Sequence, residues 1–418
     1  MRLPARLLIA AFLATGIGPS AGHAQAAGDF EQTDGRHVQE LLPDNDAGGV
    51  AVALRANGKT SFYNYGMAGA ARQRPITSDS IFNLASVGKL FATVLLADAD
   101  KRGEMRLDDP VAKYVTELQK GGDIQDVTLG QIASHTSGLP REPGHYETWH
   151  RGKYTLPDFL RFLNGWQADP QHEPGKQDIY SNLAMILLRL ALERRFNEPF
   201  ATLMKGRITG PLGMDSTALQ LSPAQRPRAV QGYGPFGRAI GQPGIGTSNH
   251  MDFAAAGKVF SSPRDMAVFV TANMGELSDH RALQDAMAFA QQGLFTVNPR
   301  FTQGLAWQIV RRDDLTVIDK NGGLPVTSTY IGHVPAAKGS GSWRTAAARR
   351  QPGSAGRFCV KWRGPWRRNP RPRGLIRIEA GGGPRMAQPT PRHLPDVGRV
   401  NPPARLLPAA LAAGRELV

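Results

Sequence analysis

The stretch Asn83-Leu84-Ala85-Ser86-Val87-Gly88-Lys89-Leu90-Phe91-Ala92 decides how this chain is read. A loop here runs into an apolar helix. Leu90, Val94, Leu95 and Ala97 form a stripe that predicts helix from Ser86 to about Arg102. Residues three apart share a helix face, so Lys89 can reach the Ser86 hydroxyl. A serine hydroxyl becomes a nucleophile when a neighbouring base takes its proton. At a helix start the Ser86 N–H is also free to face a developing oxyanion. The bland reading is a solvated lysine after a capping serine, and this pair alone does not separate the two.

Two further groups follow in order. Tyr180-Ser181-Asn182 stands at the mouth of an apolar, buried helix running from Asn182 to about Arg195. A tyrosine held near cations can release its proton easily enough to act as an acceptor. Asn182 offers an amide donor and acceptor to a substrate carbonyl. The competing reading is a tyrosine packed at a helix start with Asn182 capping. Asp319-Lys320-Asn321-Gly322-Gly323 lies at the end of a strand. Lys320 would supply a fixed positive charge for a substrate carboxylate and keep Tyr180 acidic. The glycines allow close backbone approach to a ligand, and Gly323 N–H is a second candidate oxyanion donor. An ordinary Gly-rich turn competes with this. His135, in Ala133-Ser134-His135-Thr136-Ser137-Gly138-Leu139-Pro140-Arg141-Glu142, has no evident acid to orient it and reads as structural. Arg141 and Glu142 are expected to line the cleft.

Ser86-x-x-Lys89, Tyr180-x-Asn182 and Lys320-Asn321-Gly322 together resemble the three motifs of the penicillin-recognising serine hydrolases. The second motif points to the class C β-lactamase branch. The stretches HTSGLPRE, YSNLA and VFSSPRDMAVF are similar to D-alanyl-D-alanine carboxypeptidase/endopeptidase relatives of that branch. The resemblance covers about Gly48 to Pro335. It implies an acyl-enzyme on Ser86, proton transfer by Lys89 and Tyr180, and substrate binding by Asn182, Lys320, Asn321, Gly322 and Gly323. The substrates implied are β-lactams or D-alanyl-D-alanine peptides of peptidoglycan, with no cofactor. A carboxylesterase on the same scaffold is the alternative chemistry. The usual Lys-Thr-Gly is Lys320-Asn321-Gly322 here; an asparagine can still hydrogen-bond a carboxylate. The family's last strand and C-terminal helix should follow Pro335, and residues 339–418 resemble neither. A broken C-terminal part would make the chain an inactive wall-associated binding protein.

Composition narrows the remainder. Residues 1–26 combine a basic start, a short apolar run and Ala24-Gln25-Ala26, the pattern of a secretory signal. Periplasmic localisation is therefore expected, with no integral membrane segment after cleavage and association limited to a membrane or wall surface. The single cysteine, Cys359, excludes a disulfide framework, and no His-x-His or His-Glu-x-x-His pattern supports a zinc site. Gly-x-Ser-x-Gly is absent, which counts against an α/β-hydrolase. The net charge of +15 misleads: residues 339–418 hold 16 Lys and Arg against 3 Asp and Glu, leaving about +2 for the rest. Nucleic acid is not an expected partner. The tail also carries 11 Gly and 11 Pro, and reads as a basic disordered segment or a translated frameshift.

The expected fold is α+β. Asn57-Gly58 predicts a hairpin between Gly49–Leu54 and Thr60–Tyr65. A second hairpin spans Leu305–Val310 and Leu315–Ile318, with a strand over Thr329–Val334. Strands from both ends of the chain should form one antiparallel sheet flanked by helices, beside an all-helical region. Thr128 and Ser262-Pro263 mark helix starts. The serine hydrolase domain is placed at 27–338.

Overall fold

The computed structural model describes residues 48–56, 58–69, 73–143, 154–233, 238–240, 254–312, 315–324, 327–335 and 342–348. In chain order the strands are β1 (Gly49–Ala56), β2 (Lys59–Gly69), β3 (Arg74–Pro75), β4 (Phe82–Asn83), β5 (Gly232–Tyr233), β6 (Ala239–Ile240) and β7 (Phe260–Ser261). Then come β8 (Phe295–Asn298), β9 (Phe301–Gln303), β10 (Gln308–Arg312), β11 (Leu315–Leu324), β12 (Thr327–His333) and β13 (Ser342–Ala348). The helices are α1 (Lys89–Lys101), α2 (Leu129–Ala133), α3 (Leu156–Asn164), α4 (Asn182–Phe196) and α5 (Phe200–Met204). They continue with α6 (Ala254–Gly257), α7 (Pro263–Asn273) and α8 (Arg281–Ala290).

Nine strands form one sheet in the order β3-β2-β1-β13-β12-β11-β10-β9-β8. The predicted first hairpin is present: Ala56 pairs with Lys59, and Gly58 takes φ +76°, a value that glycine adopts without a Cβ penalty. The second hairpin begins later than expected, at Gln308, because Leu305, Ala306 and Trp307 are buried in the turn that precedes it. β11 runs on through Leu324, so Lys320 to Gly323 lie inside the strand and not at its end. The α+β class and the antiparallel sheet built from both chain ends are thus present.

One expectation is corrected. The segment read as lacking a last strand contains β13, which pairs antiparallel with both β1 and β12. An Ala-rich run has low strand propensity and gives little sequence signal. Two facing sheet edges hold it through backbone hydrogen bonds, which do not depend on side-chain type. The remaining tail, Cys359 and the signal segment lie outside the described residues.

α1 and α4 are apolar nearly all round and form the centre of the core, with every residue from Lys89 to Ala99 buried. The Phe91 ring of α1 stacks on Phe269 of α7 at 4.7 Å. α7 in turn lies against β1, β12 and β13, tying sheet to core. Caps define the element starts. Thr128 and Gln131 make a capping box at α2, and Ser262 accepts from the Asp265 N–H at α7. Among the described residues no helix is long and apolar enough to cross a membrane.

Candidate active site

The nucleophile turn is built where the chain leaves β4. Leu84 N–H donates to Val259 O at 2.7 Å, and Thr329 Oγ1 donates to Leu84 O at 2.6 Å. Ala85 then takes φ +48°, with its N–H held by Asn83 Oδ1 at 2.9 Å. A left-handed non-glycine residue costs free energy and persists only where its surroundings hold it. Here it turns the chain into the 3-10 turn Ala85–Gly88, which leads directly into α1. Ser86 and Lys89 therefore project from one face, as the spacing predicts.

Three elements converge on Ser86. Its Oγ lies 2.5 Å from the Tyr180 hydroxyl and 3.2 Å from Lys89 Nζ. Lys89 Nζ also donates to Asn182 Oδ1 at 2.9 Å and to Ala256 O at 2.5 Å. Its side chain is fully buried. Burial, reinforced by the charges of Lys320 and Arg141, holds its pKa well below the usual lysine range, opposed by Glu142. Two of its three partners, Asn182 Oδ1 and Ala256 O, can only accept. A neutral amine has two protons for them and one lone pair left for Ser86 Oγ–H.

Tyr180 is corrected in one respect. Basic groups do surround its ring, with Lys89, Lys320 and Arg141 centred 4.8, 5.1 and 5.4 Å from it. Burial nevertheless pushes its pKa up, against the lowering effects of the Ser86 hydrogen bond and Arg141. The resting group is a phenol, and Lys89, whose pKa burial lowers, is the group of the cluster suited to act as base. Lys320, 2 % exposed, enters from β11 on the opposite wall. Burial lowers its pKa to about 8, opposed by the charges of Asp178 and Asp319.

Gly322 is required at its place. A Cβ there would lie 2.6 Å from Leu84 O and 2.8 Å from Ser86 N, so strand and nucleophile turn could not meet. Gly323, the next residue, is exposed with open space around it, as is Asn321. The structure thus brings Ser86, Lys89, Tyr180 and Asn182 into one hydrogen-bonded group and sets Lys320 and Gly322 against it.

His135 lies behind the site. Its ring centre is 4.6 Å from that of Tyr180, and its Nδ1 accepts from Ser181 N–H at 3.4 Å. Burial drives its pKa well down, so it is neutral with the proton on Nε2. Arg141 O accepts from Asn182 N–H at 3.0 Å, and Glu142 Oε1 accepts from Asn182 Nδ2 at 3.2 Å. Sequence reasoning missed two contributors. The Ala256 carbonyl carries no side-chain signal. Asp178 could have been noticed as the carboxylate two residues before Tyr180. Among the described residues no group of His, Cys, Asp and Glu could hold a metal ion.

Comparison with known proteins places this geometry. The Beta-lactamase family profile matches residues 35–349. A beta-lactamase of Pseudomonas fluorescens is 30% identical over 285 residues, covering 68% of this chain and 75% of that one. A beta-lactamase of Escherichia coli is 31% identical over 279 residues, covering 66% and 69%. Among solved structures, a class C beta-lactamase superposes with a TM-score of 0.69 at 22% identity, covering 80% of this chain and 94% of that one. A D-alanine carboxypeptidase from Burkholderia cenocepacia superposes at 0.66 with 27% identity, covering 78% and 96%. The fold is that of these enzymes, and the chain belongs to the beta-lactamase family.

Proposed function

We propose that this protein is an exported serine hydrolase of the class C type. It works through an acyl-enzyme on β-lactams and on D-alanyl-D-alanine peptides. The observation that carries the reading is the contact of Ser86 Oγ with both Lys89 Nζ and Tyr180 OH, with Lys320 across the cleft. The names of its relatives, beta-lactamase and D-alanine carboxypeptidase, supply the substrate classes. The basic and apolar N-terminal segment supports export to the periplasm.

In this mechanism Ser86 attacks the amide or β-lactam carbonyl and passes its proton to the Lys89 amine. Ser86 N–H and Gly323 N–H hold the oxyanion. Tyr180, a phenol at rest, protonates the leaving nitrogen and is restored by the proton that Lys89 took from Ser86. Asn182 orients the acyl half, and Lys320 binds the carboxylate of the other half. Water, activated by the same base, then attacks the ester and frees Ser86. A penicillin and a D-alanyl-D-alanine end both present an amide followed by a carboxylate, so one site reacts with both. The rate of the water step separates hydrolysis of the antibiotic from inhibition by it.

Intact-mass spectrometry with benzylpenicillin tests the reading, with Ser86→Ala alongside. The expected result is a mass increase of one penicillin, lasting or transient, on the wild type alone. The absence of both an adduct and any loss of penicillin, or an adduct that survives in Ser86→Ala, would overturn it.

A further inference from the structure

Arg141 is a charged group beside the reaction centre that the mechanism leaves unused. Its backbone is fixed by Asn182, whose N–H donates to Arg141 O at 3.0 Å. Ser181 Oγ–H holds the preceding carbonyl, Pro140 O, at 2.7 Å. The guanidinium carbon of Arg141 lies 5.4 Å from the centre of the Tyr180 ring, the ring whose hydroxyl touches Ser86 Oγ. The same side chain is 70 % exposed. A group that is both beside that ring and open to water stands at the mouth of the cleft.

Among the described residues the guanidinium donates no hydrogen bond. Its ion-pair neighbour, Glu142, has Oε1 3.9 Å from Arg141 Nε, beyond hydrogen-bond range. A pair that open to water is strongly screened. Nor does Glu142 cancel the arginine at the reaction centre. Burial dominates the pKa of Lys89 and of Tyr180, but in both Arg141 lowers the value more than Glu142 raises it. A guanidinium carries five N–H donors in a planar fork that fits a carboxylate through two parallel bonds. Those donors are the idle hydrogen-bonding capacity of this site.

We infer that Arg141 is a specificity determinant that favours substrates carrying a second carboxylate, on the acyl half. The inference rests on the catalytic reading above, in which Lys320 binds the carboxylate of the other half and Asn182 orients the acyl half. Arg141, joined to Asn182 through its backbone, is then the cation on the acyl side. A carboxylate there gains a charge-assisted, two-pronged hydrogen bond, and an ammonium meets a like charge. Peptides whose acyl residue bears a free side-chain carboxylate are the corresponding class of natural substrate.

Carbenicillin and benzylpenicillin test this, because they differ only at the acyl α-carbon, where the first has a carboxylate and the second hydrogen. The readout is the ratio of their acylation efficiencies, carbenicillin over benzylpenicillin. In the wild type this ratio should fall as salt is added. Arg141→Gln removes the charge and should lower the ratio about tenfold. Arg141→Glu should lower it further. Arg141→Lys keeps the charge without the fork, and its ratio should lie between those of the wild type and Arg141→Gln. A ratio that is the same in the wild type, Arg141→Gln and Arg141→Glu, while both compounds acylate Ser86, overturns the inference and leaves the catalytic reading standing. A loss that strikes both compounds alike is that same outcome. A wild-type ratio indifferent to salt overturns it as well, with no variant needed. If benzylpenicillin does not acylate the wild type, the catalytic reading fails and this one with it.

Discussion

At the scale of single residues, the site depends on how burial shifts the charges of its two lysines. Lack of solvent lowers the pKa of Lys89, and the charges of Asp178 and Asp319 favour the cation of Lys320 against its burial. The second balance has a measurable edge. A lysine with a depressed pKa is charged below it and neutral above it. Binding of a substrate carboxylate should therefore weaken as pH rises through about 8. In a pH profile of kcat/KM for benzylpenicillin this appears as an alkaline limb. Asp178→Asn removes a negative charge that favours the lysine cation, so the limb should move to lower pH. An unmoved limb would show that Lys320 is not the group that titrates. The sequence made these residues visible as motifs, because Ser86, Lys89, Tyr180 and Lys320 carry chemistry in their side chains. It did not show the direction of the Tyr180 shift, since burial by a folded neighbourhood outweighs the cations around the ring.

At the scale of elements, helix starts do the positioning. Ser181 caps α4 by accepting from Ala184 N–H at 3.0 Å, and its hydroxyl proton goes to Pro140 O at 2.7 Å. One side chain thus fixes both the helix carrying Asn182 and the loop carrying Glu142. Ser181→Ala should cost about 1–2 kcal/mol, a lost cap together with a lost hydrogen bond. Chemical denaturation would measure it, and a loss confined to a few tenths would mean that the cap is redundant. The helix starts at Thr128 and Ser262 were legible because capping residues leave local marks, and α4 was legible from its apolar run, although its cap is Ser181 and not Asn182. The length of β11 was not, because Asn321-Gly322-Gly323 reads locally as a turn. Pairing with β12 from Ile318 through Leu324 overrides that preference.

At the scale of the whole molecule, β13 joins two halves of the sheet that, among the described residues, pair with each other through no other strand. β1 to β3 form one block and β8 to β12 the other, and only β13 pairs with both. A chain ending after Pro335 would leave the β1 and β12 edges unpaired, with α7 packed against a divided sheet. Such edges template association with other chains. This truncation should go to the insoluble fraction, whereas one ending after Arg349 should remain soluble with a single cooperative unfolding transition. Equal solubility of the two would show that β13 is dispensable. This dependence was the least legible part of the fold. The pairing that closes the sheet is non-local, and the segment supplying it, with a single β-branched residue at Thr345, shows no clear alternation of apolar and polar residues.

The register of β13 also sets a schedule. Ala51 pairs with Ala347, almost the full length of the matched region later. A ribosome adding about 5–20 residues per second needs on the order of 15–60 s to supply that partner. Throughout that interval the first hairpin exists without its neighbour, and the sheet cannot lock. Under the export proposed above, the delay lets the chain be threaded across a membrane before its own last strand arrives to close it.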